Sequence, residues 1–147
     1  MIAAEKNLRP MEEISRNYPG MTIDDAYAVQ FRTIEEKVKS GAVIVGRKIG
    51  LTSKAMQALI GIDEPDAGII VDNKVFREGK GIPANTMMVP RIEAEIGFLL
   101  KEDLKGPGIT VVDVLAATAG GSLPGALVQL VRHRNASALA SFVRVHG

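Results

Sequence analysis

Three side chains in this sequence have the types and spacing to do chemistry together. Glu93 and Glu95 stand two positions apart in Pro90-Arg91-Ile92-Glu93-Ala94-Glu95-Ile96-Gly97-Phe98-Leu99-Leu100. At the two-residue period of a β-strand, Ile92, Ala94, Ile96, Phe98 and Leu100 take one face, and Glu93, Glu95 and Gly97 take the other. A rise of roughly 3.3 Å per residue separates the two Cα atoms by about 6.6 Å, near enough for converging carboxylates to share one cation. The alternative that spacing leaves open is a solvated polar face, where glutamate usually sits. The third group is Lys48, in Ala42-Val43-Ile44-Val45-Gly46-Arg47-Lys48-Ile49-Gly50-Leu51. Glycines at 46 and 50 let another group approach it, so it lies either on the wet face of a strand or near an anion.

Other chemistries are excluded over most of the chain. No cysteine occurs anywhere, and residues 1–118 contain no histidine. A Ser-His-Asp or Cys-His nucleophile would have to recruit His133 or His146 from the end of the chain. No GxxxxGK[ST] loop is present, and Gly79-Lys80-Gly81 is too short to cradle phosphates. What remains is oxygen-ligand metal chemistry beside a lysine. Glu93 and Glu95 suit Mg²⁺ or Mn²⁺, hard cations that take carboxylates and leave positions for a chelating substrate. Two carboxylates hold such an ion weakly, so a third ligand or the substrate must complete the site.

With 147 residues, 46% hydrophobic and 24% charged, the chain is expected to form one ordinary globular domain. No apolar run approaches a membrane span, and the N-terminus has no apolar core of signal-peptide length; with the lack of cysteine, this predicts a cytoplasmic protein. The net charge of +1 conceals an asymmetry. All 17 acidic residues lie between Glu5 and Asp113, the last lysine is Lys105, and residues 119–147 carry only Arg132, Arg134 and Arg144 with the two histidines. Three arginines without lysine or interleaved aromatics make a poor nucleic-acid arm.

The elements that must position these groups are signalled locally. Thr22-Ile23-Asp24-Asp25 has the form of a capping box, and Ile23, Tyr27, Phe31, Ile34 and Val38 recur at helical spacing before Gly41. A helix over about 22–40 with one buried stripe follows, with core packing favoured over a ligand wall for Tyr27 and Phe31. A shorter helix begins near Pro10 and ends before Tyr18. Val43-Ile44-Val45 reads as a strand, Thr52 to Gly61 as a capped helix with a glycine stop, and Ile62 to Gly68 as a turn-rich loop. Short strands follow at Ile69-Ile70-Val71 and Lys74-Val75-Phe76, then the carboxylate strand, and then a helix from Thr110 to about Thr118. Ala126 to Val131 is alanine- and leucine-rich enough to be helical.

Four of these stretches together resemble a known family. Gly46 to Gln57, the loop Gly61 to Gly68, Pro90 to Ile96, and Leu104-Lys105-Gly106-Pro107 followed by Asp113-Val114-Leu115-Ala116-Ala117-Thr118 are similar to the 2-oxopent-4-enoate hydratase and 4-oxalocrotonate decarboxylase family, of the fumarylacetoacetate hydrolase superfamily. The resemblance covers about residues 20–118. It implies an α+β fold: an N-terminal helical part over 1–41, a β-rich catalytic part over 42–118, and an atypical tail over 119–147. It further implies a homo-oligomeric hydro-lyase that adds water to a 2-hydroxy-2,4-dienoate such as 2-oxohept-4-ene-1,7-dioate, in the meta-cleavage catabolism of aromatic compounds. Glu93 and Glu95 would be metal ligands for Mg²⁺ or Mn²⁺, Lys48 catalytic, and Asp66 substrate-binding. The partners would be a small 2-oxo acid, with neither nucleic acid nor membrane.

The same resemblance implies a departure. The family's third carboxylate follows the Asp-Val-Leu-x-Ala-Thr segment in a Pro-Ala-Leu-Glu motif, whereas this chain continues Ala119-Gly120-Gly121-Ser122-Leu123-Pro124-Gly125. The expectation is a frameshift or truncation after about Thr118, which sequencing the locus past that codon tests. The alternatives to a hydratase are a 4-oxalocrotonate-type decarboxylase and an inactive fragment of either.

Overall fold

The computed structural model of the chain describes residues 1–77, 80–88, 90–119, 126–132 and 141–144. His133 and His146, and Gly79 of the short glycine turn, lie outside them. The architecture is α+β. Helices α1 (Ile2–Lys6), α2 (Ile14–Asn17) and α3 (Ile23–Lys39) precede strand β1 (Ile44–Gly50), helix α4 (Lys54–Ile60) and strands β2 (Asp66–Val71), β3 (Val75–Arg77) and β4 (Pro90–Ile96). Helix α5 (Val111–Ala117) and strands β5 (Ala126–Arg132) and β6 (Ser141–Arg144) follow.

The helix starts follow the local chemistry. The Thr22 side chain accepts from the Asp25 backbone N–H at 3.2 Å, and Asp25 Oδ2 accepts from the Thr22 backbone N–H at 2.9 Å, closing both arms of the capping box of α3. Asp serves at the last position because its shorter side chain still reaches. Thr110 and Asp113 repeat the arrangement on α5. On α4, Ser53 accepts from the Met56 N–H, and Gly61 ends the helix in the left-handed conformation, φ 78°.

Among the described residues the strands form two separate sheets. β1 and β2 pair antiparallel, and the other four lie in the order β3-β6-β5-β4. β4 pairs antiparallel with β5 along its whole length, from Pro90 opposite Arg132 to Ile96 opposite Ala126. β5 pairs antiparallel with β6, and β6 parallel with β3. The chain over 126–132 is thus a strand where helical composition was expected. Val128 and Val131 are β-branched, and a full ladder along β4 outweighs the weak helical preference of alanine and leucine. The carboxylate strand is shorter than its alternating pattern, for it ends at Ile96, and Leu100 makes only an isolated antiparallel bridge to Thr118.

The core is small. Val71 is fully buried, and Ile34, Ile70 and Ala117 are the other buried apolar residues among those described. Beside Ile34, the buried hydroxyl of Thr33 donates to the Val29 carbonyl at 2.8 Å. The apolar stripe expected on α3 is buried at one residue, Ile34. Ile23, Phe31 and Val38 are about half exposed. Glu5 ties α1 down by pairing with Lys37 of α3 at 2.8 Å and Lys74 at 3.6 Å. No helix among the described residues is long and apolar enough to cross a membrane.

Candidate active site

The β1–β2 hairpin positions two of the four expected site residues. Its register places Lys48 opposite Gly68, and Gly50 opposite Asp66. Residues two apart on a strand share a face, so Lys48, Gly50, Asp66 and Gly68 all belong to one face of the hairpin, with Lys48 and Asp66 diagonal to each other. Each charged side chain lies over the glycine opposite it. A Cβ on Gly68 would come within 2.8 Å of Lys48 Cγ, and one on Gly50 would overlap the Asp66 carboxylate. The two glycines therefore leave space that two charged side chains occupy, which explains their place in the sequence. Lys48 is half-buried and Asp66 exposed.

Asp66 is placed differently from expectation. Ile62 to Gly68 reads as a loop, but the chain becomes extended at Asp66, the first residue of β2. The β1 ladder captures Asp66, Ala67 and Gly68, despite their weak strand preference, because Gly50 and Lys48 stand opposite Asp66 and Gly68 as backbone partners on either side of Ala67. The turn out of β1 is strained at Leu51, whose φ of 52° is unusual for a residue with a Cβ. The buried amide of Gln57 donates to the Leu51 carbonyl at 2.7 Å, and Lys54 Nζ donates to Gln57 Oε1 at 3.0 Å, so α4 holds this turn against the strand.

Two residues missed as functional in the sequence hold the other edge of β2. The Tyr27 hydroxyl accepts from the Ala67 N–H at 3.1 Å, and Gln30 Nε2 donates to the Ala67 carbonyl at 3.1 Å. Tyr27 was expected to pack in the core, and its ring does stand 6.4 Å from that of Phe31. No local signal announces contacts that span 40 and 37 residues.

Glu93 and Glu95 lie on β4, in the other sheet, at register positions opposite Gln129 and Leu127. Both positions fall on one face of an unbroken strand, the arrangement that adjacent oxygen ligands require. Among the described residues, no three His, Cys, Asp or Glu gather in one place. An open depression of about 500 Å³ lies along α4, lined by Lys54, Gln57, Ala58, Gly61, Ile62 and Asp63. Neither Lys48 nor Asp66 lines it.

No family model matches the chain. It is 48% identical over 115 residues to the 2-oxo-hept-4-ene-1,7-dioate hydratase of Escherichia coli, a match covering 78% of this chain and 43% of that protein. It is 43% identical over 99 residues to the 2-hydroxypent-2,4-dienoate hydratase of Pseudomonas putida, covering 67% of this chain and 45% of the relative. Among solved structures, the 4-oxalocrotonate decarboxylase of Pseudomonas putida G7, in complex with magnesium and adipate, superposes with a TM-score of 0.80 at 34% identity, over 88% of this chain and 48% of the other. The chain spans less than half the length of these relatives. Over the stretch these likenesses cover, it belongs to the family of 2-hydroxydienoate hydratases and 4-oxalocrotonate decarboxylases.

Proposed function

We propose that this chain carries a divalent-metal-dependent hydratase site that adds water to a 2-hydroxy-2,4-dienoate, of the size of 2-oxohept-4-ene-1,7-dioate, in the breakdown of aromatic compounds. The observation that carries the reading is the glycine-cradled face of the β1–β2 hairpin, where Lys48 and Asp66 stand diagonal to each other. The identity to two hydratases supports the reaction, and the magnesium in the decarboxylase structure supports the metal.

In this reading Glu93 and Glu95 hold Mg²⁺ or Mn²⁺, since paired carboxylates on one strand face fit a hard cation and leave it open positions. When bound, the metal supplies a Lewis acid for the 1-carboxylate and 2-oxygen of the substrate. The remaining steps belong to the chain's own side chains. The Lys48 ammonium orients the substrate and delivers a proton to C5 of the dienol while the 2-hydroxyl gives its proton up to solvent, leaving a conjugated 2-oxo-3-enoate, and Lys48 takes a proton back from solvent. The Asp66 carboxylate takes a proton from water as its oxygen bonds to C4, and returns that proton to C3, leaving a 4-hydroxy-2-oxo acid. Two groups of opposite charge, diagonal on one face, suit a reaction that needs a proton given and a proton taken.

The same proposal includes a catalytic part over 42–118 preceded by a helical part over 1–41, and assembly into a homo-oligomer. Apolar side chains left in the open support the assembly, with Leu59 71%, Val111 75% and Val112 72% exposed. The likeness to a solved decarboxylase favours one second reading, loss of CO₂ from a 2-oxo-enedioate through the same chelation. Two assays of the purified chain with Mg²⁺ separate them. Loss of the ultraviolet band of a 2-hydroxydienoate is expected, and CO₂ release from a 2-oxo-enedioate without loss of that band would instead establish the decarboxylase.

A further inference from the structure

We infer that Tyr27 and Gln30 of α3 are positioning residues, which clamp the free edge of β2 at Ala67 and thereby hold Asp66 and Gly68 in register with Lys48. This deepens the proposed function and rests on its assignment of Lys48 and Asp66.

Successive backbone groups on an extended strand point to opposite edges, while the N–H and C=O of one residue point to the same edge. Among the described residues β2 has a strand neighbour on one edge, β1. Ala67 presents both its N–H and its C=O to helix α3, where the Tyr27 hydroxyl accepts the first at 3.1 Å and Gln30 Nε2 donates to the second at 3.1 Å. Tyr27 and Gln30 are three apart and so share one face of α3. Together they act as a surrogate strand one residue long. Two helix side chains thus complete both polar groups of one strand residue, and the residue so held lies between Asp66 and Gly68.

The placement matters because those neighbours set the geometry of the charged pair. Gly68 is the floor on which the Lys48 side chain lies, and Asp66 lies over Gly50. A free β2 edge would let this first half of the strand, whose Asp66, Ala67 and Gly68 have little intrinsic strand preference, peel from β1. The deeper half is anchored otherwise, by the buried Ile70 and Val71. The clamp thus acts where burial does not.

The test uses the full chain and needs no turnover. Native-state hydrogen exchange at the Ala67 amide is measured in the wild type, Tyr27→Phe and Gln30→Ala. In the same proteins, the acylation rate of Lys48 by an amine-selective reagent is read by mass spectrometry relative to that of exposed Lys101. Tyr27→Phe keeps the ring and its packing on Phe31, removing only the acceptor. The expected result is Ala67 exchange faster by roughly fivefold in Tyr27→Phe, the loss of about one hydrogen bond. The Lys48 to Lys101 ratio should change about twofold or more in both variants. Thr33→Ala, which removes a buried hydroxyl elsewhere on α3, should lower the melting temperature and leave the ratio unchanged. Faster Ala67 exchange with an unchanged Lys48 ratio overturns the positioning role, as does a Thr33→Ala variant that shifts the ratio equally. Failure of the proposed function shows separately, as absent turnover in a wild type whose Lys48 ratio still responds to Tyr27→Phe; that response supports the clamp.

Discussion

The two sheets are built by opposite strategies. The β1–β2 hairpin joins strands separated only by α4, and its charged pair, cradling glycines, helix caps and clamp all fall within residues 22–72. The second sheet gathers strands from 75–77, 90–96, 126–132 and 141–144, with its first strand parallel to its last. The contrast shows why two halves of one proposed site differ in how they are held. Lys48 and Asp66 are fixed by short-range pairing that persists if distant parts change, whereas the strand bearing Glu93 and Glu95 depends on a partner that begins 30 residues beyond its own end.

That difference can be broken from either side. The largest expected effect comes from Val128→Pro on β5, a strand with neighbours on both edges. Proline removes a ladder hydrogen bond there and is not accommodated in a central strand. Hydrogen exchange should show β4 amides losing protection while those of β1 and β2 keep theirs. Loss of protection in both sheets together would mean one cooperative unit. Next is Val71→Ala, which empties the one fully buried large side chain of the hairpin and should cost about 2 kcal/mol in denaturant melts. Thr22→Ala removes the N-cap of α3 and should cost about 1 kcal/mol, visible in the same melts.

The smallest effect is that of acid. The Thr22 backbone N–H and hydroxyl, donating to Asp25, hold its carboxyl below the usual aspartate range. The Thr110 hydroxyl and backbone N–H do the same for Asp113. A carboxyl depressed in the folded state stabilises it above the ordinary aspartate range, and that contribution disappears as pH falls through the folded value. Helicity measured by circular dichroism should therefore weaken as pH falls from the ordinary range through these lower values. Asp25→Asn should remove the part of this dependence that belongs to α3.

Much of the first region was legible in the sequence because its determinants are local. The cap at Thr22 and the glycine stop at Gly61 need only neighbours within a turn, as does the cap at Thr110 outside that region. The diagonal of Lys48 and Asp66 was not legible, because it depends on the register across α4, and a one-residue slip would send one of them to the opposite face. Tyr27 looked like core for the same reason: its spacing is helical, and only the fold brings Ala67 to its hydroxyl. For Glu93 and Glu95, periodicity gave the shared face, but the strand's partner came from a segment whose composition pointed to helix.

The proposed site is tested most directly by joining its two halves in one measurement. The purified chain is mixed with a 2-hydroxydienoate, with Mg²⁺ or with a chelator, and the ultraviolet band is followed for the wild type and Glu95→Gln. Metal-dependent loss of the band in the wild type, abolished in Glu95→Gln, is the expected result. A wild type that leaves the band untouched with Mg²⁺ present, or a Glu95→Gln variant that keeps most of the rate, would contradict it.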